Sequence, residues 1–187
     1  MADQGSPQVE CRKPTQRNRS LERCCDIIAT EILMPGDIFY AAADRCGWSL
    51  RAIRSLASTF QVTVQAAARR LMELIKEPAL LSLWRPQANQ PLQALNLSWS
   101  IPNALGKALN PQVRWQTGPQ AMLPLYQALN ATGVTTGGSK VLTKIGGESR
   151  YRWVLTEAMA VGRGDKQSLL GFHYLSKPSS LAPRKYW

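Results

Sequence analysis

One histidine, His173, and four cysteines, Cys11, Cys24, Cys25 and Cys46, are the only imidazole and thiol groups in this 187-residue chain. A lone imidazole excludes the paired-histidine zinc sites and most of the common catalytic constellations. The cysteines include an adjacent pair but no C-x-x-C, which suits reduced thiols better than a disulfide framework. On a helix Cys24 and Cys25 stand about 100° apart, so one is expected to pack inward as a small apolar residue and the other to flank it. Glu22 is a carboxylate in the first turn of a helix, a place that suits an acid on dipole grounds alone. Gln65 and Arg69 have the residue types and spacing to face a DNA major groove, with Arg70 and Arg51 reaching phosphates. Thr136-Gly-Gly-Ser-Lys140 lacks the spacing of a phosphate loop. Gly162-Arg-Gly-Asp165 reads as a hairpin turn. No catalytic residue is assigned.

The elements that must hold these groups follow from periodicity. Residues 1–19 are polar, with two prolines and no apolar pattern, and are expected to form a mobile arm. From Ser20, a plausible N-cap, Leu21, Cys24, Cys25, Ile28 and Ile32 recur at steps of three and four on one helical face. Met34-Pro35-Gly36-Asp37 breaks that helix. A short helix over 38–45 follows, closed by Gly47. Ser49 is expected to cap a third helix, Leu50 to Phe60, and Thr63 a fourth, Val64 to about Lys76, with Gln61-Val62-Thr63 as the turn between them. After Pro78 the texture changes. Extended runs over 79–84 and 92–101, a helix over 119–131 that Pro124 must either kink or shift in its start, and strands near 138–144, 150–160 and 168–175 read as a small α+β domain on an antiparallel sheet. Turns at Gly146-Gly147 and 162–165 join the last three strands.

The net charge of +11 is unevenly spread. Residues 1–20 carry +2, residues 21–77 are neutral, and residues 78–187 carry +9. A basic domain favours polyanions through counterion release, although a solubilising surface explains the same excess. Six tryptophans include Trp84, Trp99, Trp115 and Trp153. These four are expected to fill the core of the second domain, with stacking on a ligand beside Arg85, Arg114, Arg150 and Arg152 as the alternative. No apolar run approaches the roughly 18 residues of a membrane span, and no apolar leader opens the chain. The chain is expected to be cytoplasmic, with no membrane partner.

Two stretches carry a resemblance to a known family. In Leu21 to Pro35, the positions Glu22, Cys25, Asp26, Ala29 and Ile32-Leu33-Met34-Pro35 resemble the helix that follows the zinc motif in the ImmA/IrrE regulatory metallopeptidases. Ile53 to Leu71 is similar to the helix-turn-helix segment that comes next in that family. The resemblance covers about residues 20–77, and the layout of residues 78–187 looks like the GAF-like domain of IrrE-type members. It implies that Glu22 stands in the position of the third zinc ligand, and that full-length relatives cleave a helix-turn-helix repressor under stress. The family's HExxH, whose histidines bind zinc and whose Glu is the general base, has no counterpart here, since no His precedes Glu22. One carboxylate cannot hold zinc or acidify its water.

The expected architecture is therefore α+β: an arm (1–19), an all-helical module with a helix-turn-helix (20–77), and a GAF-like α+β domain with an antiparallel sheet (78–187). The expected function is transcription regulation in a stress response by a truncated or degenerate ImmA/IrrE-like protein that binds a repressor, or a small-molecule signal at the GAF-like domain, without cleaving. Alternatives are a helix-turn-helix DNA-binding regulator, and the C-terminal part of a zinc endopeptidase whose HExxH half lies outside this chain. No cofactor is expected for the chain itself, and zinc only if that half is present.

Overall fold

The computed structural model describes residues 19–86, 95–109, 114–115, 123–145, 148–162 and 167–175. The arm expected over 1–18, Cys11 and the turn residues 146–147 and 163–165 lie outside them. The fold is α+β: four helices, then an antiparallel sheet. The helices are α1 (Arg19–Leu33), α2 (Gly36–Cys46), α3 (Leu50–Thr59) and α4 (Val64–Leu74). The strands are β1 (Ala79–Pro86), β2 (Leu95–Pro102), the two-residue β3 (Arg114–Trp115), β4 (Thr135–Ile145), β5 (Glu148–Val161) and β6 (Ser168–Tyr174). Two short helices, α5 (Ala104–Leu109) and α6 (Leu123–Ala128), intervene. Periodicity did not predict α5 or β3, which are too short to show a period. Pro124 sits at the second position of α6, where its missing N–H costs nothing, so it starts the helix rather than kinking it.

The sheet order is β2-β1-β6-β5-β4-β3. Strands β4 and β5 pair from Thr135↔Ala158 to Ile145↔Glu148, and β5 pairs β6 from Leu155↔Tyr174 to Val161↔Ser168, the registers that the two expected hairpins require. Central β6 is buried along its whole length, because helices cover both faces of the sheet. One face presents Leu81, Leu83, Leu155, Met159, Leu170, Phe172 and Tyr174 to Phe39, Leu50, Ile53, Leu56, Ala67, Ala68 and Leu71 of α2, α3 and α4. The helical segment and the sheet thus share one apolar core. The opposite face packs Trp84, Ala158 and Leu169 against Leu125 and Ala128 of α6. Each such side chain contributes on the order of 2 kcal/mol.

The caps are only partly those expected. Thr63 Oγ1 accepts from Ala66 N–H at 3.1 Å, as its sequence position predicts. The Ser49 side chain makes no cap bond. The first N–H of α3, that of Leu50, is taken instead by Glu157 Oε2 of β5 at 2.7 Å. A charged acceptor from the sheet displaces a neutral local one, since a carboxylate is the stronger partner for a helix N-terminus. Ser20 is likewise not a cap: α1 already includes it. Of the tryptophans expected in the core, Trp84 is buried, Trp99 is half-buried and Trp153 is 56% exposed with the Lys140 ammonium over its ring.

Candidate functional site

Helix α1 is amphipathic, yet among the described residues its apolar face is exposed rather than packed into the core. Leu21, Ile28 and Ile32 are 62%, 58% and 72% exposed, while Ile27 and Leu33, also exposed, lie on the flanks of α1 that line the groove between α1 and α4. Cys24 and Cys25 are both exposed, which corrects the expectation that one packs inward: the side of α1 that meets the core is the one in line with Met34, not the one carrying the cysteines. Among the described residues no other surface concentrates large apolar side chains in this way, and such a patch marks an interaction site.

What holds α1 is Arg70 of α4. The side chain is 5% exposed, and its three nitrogens reach the Met34 carbonyl (3.0 Å), Glu31 (2.7 Å) and Glu73 (2.9 Å). Burial by itself would lower its pKa, but the two carboxylates more than offset this and raise it, so it stays a cation. Met34, the last core residue before the break at Pro35, is buried beside it. Replacing Arg70 with Met is expected to cost about 2 kcal/mol, since the Met34 carbonyl loses its donor and two carboxylates lose their cation. Hydrogen exchange would show it as lost protection over α1 before the sheet is affected.

Between α1 and α4 runs a groove of about 640 Å³. Ile27, Leu33, Met34, Val62 and Ala66 give it an apolar floor, and Arg23, Arg69 and Glu73 stand along it. The residues predicted to meet DNA are divided among different duties. Arg70 is spent on the ion pairs. The Arg69 guanidinium lies over the Trp99 ring, 4.9 Å from its centre. Gln65 is half-buried in the groove, and Arg51 is exposed on α3, near enough to Glu157 to help lower that carboxyl's pKa against the upward push of burial. Helix α4 has Ala67, Ala68, Leu71 and Met72 buried, so only a narrow strip of it meets solvent.

Glu22 lies exposed in the first turn of α1. Among the described residues no three His, Cys, Asp or Glu side chains converge to hold a metal ion, so the described residues do not by themselves fit zinc. His173 is fully buried in β6. Its Nε2 meets Ser82 Oγ at 2.7 Å and its Nδ1 meets Thr156 Oγ1 at 2.8 Å, while Trp84 Nε1 donates to Ser82 Oγ at 2.7 Å. A serine on an imidazole is the pairing of a nucleophile with its base. Here both are sealed beneath the sheet's covering layer and the hydroxyl already carries the indole, so the cluster ties β1, β5 and β6 together. Sequence reasoning missed it, because nothing local links positions 82, 156 and 173.

No curated protein significantly matches the chain. No helix among the described residues is long and apolar enough to cross a membrane. A family model described as the IrrE N-terminal-like domain matches residues 4–72, a span that contains α1 to most of α4. Over that span, well under half of the chain, the helical module is similar to the IrrE N-terminal-like domain.

Proposed function

We propose that the chain is a regulator of ImmA/IrrE type that docks a helix-turn-helix transcriptional repressor on the exposed apolar face of α1 without cleaving it. The observation that carries this is the exposed apolar face of α1, which offers Leu21, Ile28 and Ile32 at helical spacing. An all-helical partner would lay one amphipathic helix there by its i, i+3, i+4 anchors. The similarity of the helical module to the IrrE N-terminal-like domain supports a repressor as that partner. The antiparallel sheet with helices against both faces supports a GAF-like reading of residues 78–187, which would let a small molecule bias the complex. Direct DNA reading through the α3–α4 helix-turn-helix is the weaker alternative, since Arg70 is buried in ion pairs and Arg69 is stacked on Trp99.

The test is a titration of the purified chain against purified helix-turn-helix repressors encoded in the same genome. One repressor is expected to bind with micromolar or better Kd and to stay full length. Ile28→Glu/Ile32→Glu should weaken it at least tenfold while leaving the circular dichroism unchanged, because both positions are solvent-exposed. Binding that ignores the double substitution, or no binding by any repressor, overturns the proposal. A second reading rests on Glu22, exposed at the start of the same helix, as one ligand of a zinc site completed by an HExxH-bearing segment. Repressor cleavage with zinc bound at Glu22 would replace the first reading with this one.

A further inference from the structure

Where the helical segment meets the end of β6, three aromatic rings from different parts of the chain surround a cavity of about 150 Å³. Tyr40 comes from α2, Trp48 from the α2–α3 link and Tyr174 from β6. Leu74, Ile75, Lys76 and Glu77 complete the wall. Tyr40 and Trp48 rings stand 4.9 Å apart at 59°, so they form a corner rather than a stack. The Tyr174 hydroxyl donates to the Trp48 carbonyl at 2.9 Å and locks the link against the sheet. The opposite wall is fixed as well, because Asn103 Nδ2 donates to the carbonyls of Ile75 (3.3 Å) and Glu77 (2.7 Å).

Ring faces carry negative quadrupole density, and a corner of them attracts a cation that is poorly hydrated. The cavity already shows this attraction. The Lys76 ammonium lies 5.3 Å from the centre of the Tyr40 ring. The wall also bears one charge of each sign, Lys76 and Glu77, so a lone cation gains from one and loses to the other. A molecule with both charges satisfies the two. Its size is bounded too, since a cavity near 150 Å³ takes a ligand of about six to eight heavy atoms, as an engineered cavity of that volume takes benzene.

We propose that this pocket binds a small zwitterion, whose methylated ammonium head sits among Tyr40, Trp48 and Tyr174 and whose carboxylate meets Lys76. The site is separate from the α1 face, on other residues, and stands whether or not a repressor docks there. Its walls are held by hydrogen bonds before the ligand arrives, which reduces the ordering cost of binding.

Isothermal titration of the full chain with glycine betaine tests it. For a ligand of this size in a preorganised site, a Kd below about 1 mM is expected. The same chain should bind 3,3-dimethylbutyrate, the uncharged isostere of the head group, at least tenfold more weakly, because only the charge has been removed. Lys76→Gln, at an exposed position that packs no core, should weaken betaine binding about fivefold or more and leave tetramethylammonium binding unchanged or improved. Tyr40→Leu should abolish both, and Trp48→Leu serves if that variant does not fold. Equal affinity for betaine and 3,3-dimethylbutyrate would overturn the cation site. Loss of tetramethylammonium binding in Lys76→Gln would overturn the assignment of the carboxylate end. No heat with any of the three ligands would overturn the whole proposal.

Discussion

Lowering the pH from 7.5 to 5.0 is expected to cost this protein about 2 kcal/mol of stability through His173 alone. Complete burial drives the imidazole pKa down from 6.5 to about 3, because the charged ring would lose its water inside the sheet layer. Below about pH 6.5 the unfolded chain takes up a proton that the folded chain refuses. The contribution is thus whole above pH 6.5 and declines as pH falls towards 3, by about 1.4 kcal/mol per unit. Hydrogen bonding does not supply the barrier, since both hydroxyl partners, Ser82 and Thr156, are able to accept from an imidazolium. Glu157 acts with the opposite sign. Burial raises its carboxyl pKa, so falling pH relieves the cost of keeping it ionised. Urea unfolding at the two pH values, for the native chain and for His173→Gln, separates the two groups. The Gln variant keeps a donor and an acceptor, is less stable at pH 7.5, and should lose about 2 kcal/mol less on acidification. An unchanged pH difference would show that His173 is not the group responsible.

Asn103 is expected to be the costliest small polar side chain to remove. It is buried, and its amide makes four bonds across three segments. Oδ1 accepts from Ala79 N–H (3.1 Å) at the start of β1 and from Gly106 N–H (2.7 Å), capping α5. Nδ2 donates to two carbonyls of the link that carries the chain from α4 to β1. Gly106 is needed for this approach, because a Cβ there would stand 2.6 Å from the Ala79 carbonyl oxygen and 3.0 Å from Asn103 Oδ1. Asn103→Ala strands two donors and two acceptors and should cost about 3 kcal/mol, lowering Tm by roughly 6–12 °C. Asn103→Asp is nearly the same shape, yet it turns a carboxylate oxygen toward the carbonyls of Ile75 and Glu77. It should be destabilised by a similar amount at pH 7. An Asp variant as stable as the native chain would refute the described role of Nδ2.

These two residues also show where reading the sequence stops. Asn103 stands in a short polar stretch after a strand, indistinguishable there from any turn asparagine. His173 could be judged only by what it lacked, a second imidazole within reach. The elements themselves were much easier to read. The stop at Met34-Pro35-Gly36, the close of α2 at Gly47 with φ 92°, the Thr63 cap, and the passage from helices to strands at Pro78 all depend on residues within one turn of each other. The Glu22 to Pro35 pattern, which carries the resemblance to the family, is likewise confined to one helix and its stop.

Tertiary structure decided everything that depends on which surfaces meet. Periodicity shows that Leu21, Ile28 and Ile32 share a face, but an apolar face reads the same whether a core covers it or a partner is awaited. Among the described residues the fold leaves Ile28 and Ile32 exposed. Arg70 and Arg69 look alike as neighbouring bases, until packing buries one against Glu31 and lays the other on Trp99. The acceptor for the start of α3 comes from Glu157, 107 positions away, in place of the adjacent Ser49. The division has one physical cause. Capping, helix periodicity and turn formation are short-range effects written in consecutive residues, whereas burial, ion pairing and pocket shape are set by groups that only chain closure brings together.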